Sequence, residues 1–83
     1  MFLAELYLPS GDARGRKAVI RKAERAAAKL ARDGAPVRLV RSAVVPGDEM
    51  CFLFFEADSA ETVSRLGEAA GLAFDRIVEA SAS

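Results

Sequence analysis

The chain has 83 residues, with twelve Lys and Arg balanced by twelve Asp and Glu, no histidine and a single cysteine. That length holds one domain, residues 1–83, and the neutral balance supplies no overall field toward nucleic acid or an acidic membrane, so any such partner needs a local patch. One cysteine and no histidine exclude an internal disulfide, a zinc finger and a haem attachment, and remove the commonest general base and transition-metal ligand.

Residues 2–8 form a short apolar run interrupted by Glu5 and closed by Pro9-Ser10-Gly11, which predicts a strand. From Ala13 to Arg32 the period changes to about 3.6. Val19, Ile20, Ala23, Ala26, Ala27, Leu30 and Ala31 fall within an arc of roughly 140°, and Arg and Lys fill the remainder. An amphipathic helix with a basic outer face follows. Ser10 or Asp12 is placed to cap its start, Gly34 to end it in the left-handed conformation, and Pro36 to prevent its continuation.

Residues 37–45, rich in β-branched side chains, stop at Pro46-Gly47-Asp48-Glu49, and the aromatic stretch 50–57 follows. These two predict a hairpin. Asp58-Ser59-Ala60-Glu61 then reads as a capped helix start, with Ala60, Val63, Leu66 and Ala70 at helical spacing until Gly71, so a second helix spans 59–70. A last strand at 76–80 centres on Ile77-Val78, ahead of a frayed 81–83 tail.

The order βαββαβ, with right-handed crossovers, predicts an α+β ferredoxin-like fold. Its four-stranded antiparallel sheet has order 4-1-3-2 and carries both helices on one face. A sheet covered on one side should alternate apolar and polar residues, yet the third strand is apolar at both parities. The expected helix-facing set is Ala4, Leu6, Val40, Val44, Phe52 and Phe54. The other face is then expected to hold Leu3, Glu5, Tyr7, Leu39, Arg41, Ala43, Cys51, Leu53 and Phe55.

Such a face, roughly 350 Å² in extent, is near the upper limit a monomer leaves uncovered. Covering most of it on two protomers is worth on the order of 10–15 kcal/mol, within the range of the association cost. A homodimer packed sheet against sheet is therefore expected, unless the C-terminal tail or strand curvature covers the face.

The groups with chemistry on that face are Glu5, Tyr7, Arg41 and Cys51. One reading makes Glu5 and Arg41 an ion pair satisfied within the seam. The other makes a small-molecule site, in which Arg41 pairs an anion, Glu5 accepts a proton or hydrogen bond, Tyr7 orients the ligand, and Cys51, Leu53 and Phe55 line the cavity. Without a neighbouring histidine, Cys51 reads as a small hydrophobe.

At Cys51-Phe52-Leu53-Phe54-Phe55-Glu56-Ala57-Asp58-Ser59-Ala60-Glu61 and Gly71-Leu72 the chain resembles a family of small actinobacterial ferredoxin-like proteins of unknown function, represented by a Streptomyces nickel-binding protein. The resemblance implies a homodimer of ferredoxin-like protomers and metal ions held largely by strand histidines. Near those strand positions this chain offers Tyr7, Arg41 and Leu53, which form no comparable nickel site. The fold and the dimer are expected to carry over, and the metal is not.

The leading expectation is thus a binding protein with no metal and no cofactor. The alternative is a cofactor-free enzyme of the dimeric α+β barrel type, an isomerase, cyclase or monooxygenase, with Glu5 transferring a proton and Arg41 or Tyr7 stabilising an enolate. Aromatics on the third strand of a βαββαβ chain and a basic first helix also suggest RNA recognition, but Glu49 and Glu56 flank the aromatics and the basic, Gly-containing pattern is missing, so no nucleic-acid partner is expected. With no run of about 18 apolar residues and Glu5 interrupting the N-terminal stretch, neither a membrane span nor a signal peptide is expected, and the cytoplasm is the expected location. Residues 1–42 carry ten basic and four acidic groups and residues 43–83 two and eight. That split reads as a solvated helix face, which reversing Arg21 and Arg25 would test.

Overall fold

Alternating burial marks the first strand, β1 (Phe2–Tyr7), where Phe2, Ala4 and Leu6 point into the core while Leu3 and Glu5 are half-covered and Tyr7 is exposed. The computed structural model describes residues 1–9 and 13–81. Helix α1 (Ala13–Arg32) follows, then β2 (Val37–Val45), a 3₁₀ turn at Pro46–Asp48, β3 (Met50–Ala57), α2 (Ala60–Ala70) and β4 (Phe74–Glu79). The sheet order is β2-β3-β1-β4 with every neighbouring pair antiparallel, the ferredoxin-like α+β arrangement expected from the element order.

α1 buries Val19, Ala23, Ala26, Ala27 and Leu30; Ile20 and Ala31, at the edges of the expected arc, are half-buried and exposed. Small alanines on this stripe bring the helix close to the sheet. The expected caps at Ser10 and Asp12 lie outside the described residues. At the far end Gly34 adopts a φ of 91°, and the Ala35 N–H donates to the Leu30 carbonyl at 2.8 Å, closing the last turn. Only a residue without Cβ takes that φ at no steric cost.

α2 begins at Ser59, whose Oγ accepts from the Thr62 N–H at 3.3 Å, while the Thr62 hydroxyl donates to Asp58 Oδ1 at 2.8 Å. Gly71, with φ 70°, ends it. Val63 and Leu66 enter the core beside Phe55 and Leu53.

β4 starts two residues earlier than 76–80, because Phe74 pairs opposite Leu6 and tilts against Phe55 with ring centroids 6.2 Å apart. A register shift between Glu5 and Leu6 leaves Asp75 out of the pairing. That polar residue hid the start of the strand, since a bulge breaks the alternation that sequence reading relies on. β1 ends at Tyr7 rather than at residue 8, although the Leu8 N–H still donates to the Glu49 carbonyl at 2.7 Å.

Candidate functional site

Antiparallel pairing puts partners on one face, so the register sorts the side chains. Phe2, Ala4 and Leu6 pair with Phe55, Leu53 and Cys51, and this face lies under the helices. Leu3, Glu5 and Tyr7 pair with Phe54, Phe52 and Met50, and no helix covers this second face.

The expected assignment of β3 is thereby reversed. Cys51, Leu53 and Phe55 are each 0% exposed in the core, whereas Phe52 and Phe54 lie half-buried on the open face. Cys51, Leu53 and Phe55 therefore do not line a site with Glu5, Tyr7 and Arg41. Because β3 is apolar at both parities, no alternation fixes its register, and a shift of one residue exchanges every side chain between faces. One signal was available. Glu56 shares parity with Phe52 and Phe54, and a carboxylate belongs on the wet side; it receives Arg38 Nη2 at 2.8 Å.

β2 is corrected as well. A register shift between Leu39 and Arg41 leaves Val40 unpaired, so the strand changes parity midway. Leu39 and Val44 pack against the core, while Val40 and Arg41 are both exposed. Bulges re-aim side chains in this way, and a period-two reading of the sequence cannot see them.

The open face carries an apolar band of Leu3, Ala43, Met50, Phe52, Phe54 and Val78. Its charged groups do not converge as expected. Glu5 Oε2 lies 3.5 Å from Arg76 Nε on β4, on the side away from Arg41, so the expected Glu5–Arg41 pair is replaced by Glu5–Arg76. Tyr7, 58% exposed, donates its hydroxyl to Glu49 Oε2 at 3.0 Å, and that hydrogen bond, aided by the Glu49 charge, raises the phenol above its ordinary range. Glu49 itself holds a φ of 52°, in the left-handed region. Tyr7 stands about 13 Å along β1 from Leu3, the neighbour of Phe54, and so sits at the opposite end of the face from Arg41.

Arg41 has a different setting. It stands across the ladder from Phe54, and with Met1, Val40, Ala80 and Ser81 these two residues enclose a cleft of about 240 Å³. Among the described residues Arg41 makes no ion pair. Sequence reading pointed to Arg41 but missed Arg76, Val40, Phe54 and the cleft, which depend on the bulge and on the meeting of the two chain ends.

Metal-binding chemistry has little to work with. The chain has no histidine, and among the described residues no three Cys, Asp or Glu side chains gather where they could hold an ion. Burial raises the Cys51 thiol above its usual range, and Arg16 offsets this only in part. A buried, protonated thiol is a poor ligand. The described residues of the chain do not fit a nickel centre.

The architecture defines a ferredoxin-like α+β protein with one uncovered sheet face. Residues 2–80 match the family described as Nickel responsive protein SCO4226-like, and the chain belongs to that family. The crystal structure of SCO4226 from Streptomyces coelicolor A3(2) is similar in fold, with a TM-score of 0.74 at 23% identity, covering 99% of this chain and 96% of that one. No curated protein matches the chain. Among the described residues no helix is long and apolar enough to cross a membrane.

Proposed function

We propose that this chain is a small homodimeric binding protein whose two copies meet open face to open face, holding a compact organic anion in the cleft beside Arg41, and that it has lost nickel binding. The observation that carries the reading is the uncovered band around Phe52 and Phe54. Phenyl groups gain on the order of 25 cal/mol per Å² removed from water, and a second copy brings an equal band. The same seam would close the mouth of the Arg41 cleft, where a guanidinium next to an aromatic ring suits a carboxylate on an apolar body. With Glu5 held by Arg76 and Tyr7 by Glu49, the polar groups are engaged with each other rather than poised for proton transfer, which favours binding over catalysis.

Sedimentation equilibrium at graded protein concentration tests the dimer. The expected result is twice the protomer mass for the wild type and a folded monomer for Phe54→Glu. A wild-type monomer at every concentration would overturn the seam. Thermal-shift screening against small aromatic and aliphatic carboxylates tests the cleft, with stabilisation expected for the parent chain and lost in Arg41→Ala.

A further inference from the structure

Eight of the twelve basic residues lie on α1, with Glu24 as the only acidic residue in that helix. At about 100° per residue, Arg14, Arg21, Arg25 and Arg32 fall within roughly 40° of one another, opposite the buried stripe, and Lys17, Lys22 and Lys29 flank them. All seven side chains are exposed. Eighteen residues separate the first crest arginine from the last, so at a rise of about 1.5 Å the crest is a straight line of charge about 27 Å long.

Three observations set this crest apart from an ordinary solvated helix face. Among the described residues the ion pairs are Arg38–Glu56 and Arg76–Glu5, so none of the α1 cations is paired at close range. Arg14 and Arg16 stand in the first turn, which holds no acidic residue, although the helix dipole favours carboxylates there; helix stability does not account for them. Between the cations the exposed residues are Glu24, at the margin of the crest, and the alanines Ala13, Ala18 and Ala28, and around Arg14, Lys17, Ala18 and Arg21 the surface forms a shallow depression of about 340 Å³. A rod-shaped anion meets no bulky obstacle there.

We infer that the outer face of α1 docks the phosphodiester backbone of a nucleic acid, without reading its bases. A protein partner would be expected to find an apolar anchor at the centre of its interface, and this crest has none. Insertion into a membrane would need an apolar helix face, and that of α1 is spent on Val19, Ala23, Ala26, Ala27 and Leu30 in the core, while adhesion to an anionic bilayer by charge alone is the outcome that the vesicle arm of the test detects. A row of guanidinium and ammonium groups with no aromatic platform matches a partner held by charge alone. The overall neutrality of the chain does not oppose this, because a stripe of this kind is the local patch that such a partner requires.

Fluorescence anisotropy of the full chain with a labelled 20-nucleotide oligouridine RNA and a labelled 20-base-pair DNA duplex, from about 25 to 200 mM salt, decides it. Four to seven phosphate contacts give a log–log salt slope of about −3 to −6, and the two probes differ little apart from that slope. Arg21→Glu with Arg25→Glu lowers affinity at least tenfold and flattens the slope by about 1.5, while Arg21→Lys with Arg25→Lys keeps it. Circular dichroism confirms that the variants fold, as expected for exposed side chains. No anisotropy change at low salt, unaltered binding by the charge-reversed variant, or retention by phosphatidylserine vesicles but by neither nucleic acid would each overturn the inference.

Discussion

The sheet presents two faces built from the same kinds of residue and put to different use. Under the helices, Phe55, Leu53 and Cys51 meet Phe2, Ala4 and Leu6 and lose all or nearly all contact with solvent. On the other side Phe52 and Phe54 meet Glu5 and Leu3 and remain half-covered. Composition cannot distinguish the two phenylalanine sets. What separates them is whether a helix lies above, so one face stabilises the fold and the other stays uncovered in the single chain.

The largest effect that probes this contrast is truncation on either side of β3. Phe55→Ala removes a fully buried ring that packs on Phe74 and should cost about 3–5 kcal/mol. Phe54→Ala, one residue away, should cost the protomer less than about 1.5 kcal/mol, since the ring is only half-buried, and should act on self-association instead. Urea denaturation of both variants at low protein concentration measures the difference. Equal losses would mean that the faces are not distinct.

Gly67→Ala sharpens the covered side. A Cβ at Gly67 would stand 2.8 Å from the Phe74 ring, so the usual gain of about 1 kcal/mol for replacing glycine inside a helix is outweighed by an overpacking cost of about 1–3 kcal/mol. A net loss of stability is expected in thermal melts. Adding Phe74→Leu makes room and should recover part of it.

Smaller still is the alkaline branch of stability. Cys51 in the folded chain holds its proton above the ordinary thiol value of 9.0, so the folded state binds more protons than the unfolded state once the unfolded thiol ionises. Stability from this source is fully present below about pH 9 and is lost as the pH rises through the folded value. The raised Tyr7 phenol acts with the same sign, above 10. Cys51→Ala should flatten the decline in stability above pH 9, and in the native wild type iodoacetamide should label Cys51 only after unfolding. Rapid native labelling would contradict the placement of that thiol.

The smallest expected effect concerns metal. Isothermal titration with nickel chloride should show no stoichiometric site in the parent chain, because neither face offers an imidazole and the thiol is enclosed. A stoichiometric isotherm would overturn the proposed loss of nickel binding.

Much of the fold was legible in the residues themselves. Helix periodicity, the Ser59 cap, the Gly34 and Gly71 stops and the Pro46-Gly47 turn each act within a few residues, and local chemistry decides such features wherever the segment ends up in space. The sheet order followed because the handedness of crossovers leaves few arrangements for βαββαβ.

What only the tertiary structure decided were the relations across strands. Which side of β3 is covered, where β2 bulges at Val40, and that Glu5 reaches Arg76 rather than Arg41 all depend on register. A strand apolar at both parities carries no preference of its own, so register is set by how Phe55, Leu53 and Cys51 fit against the two helices. The covered face was chosen by packing between segments far apart in the chain, an interaction that no local pattern encodes.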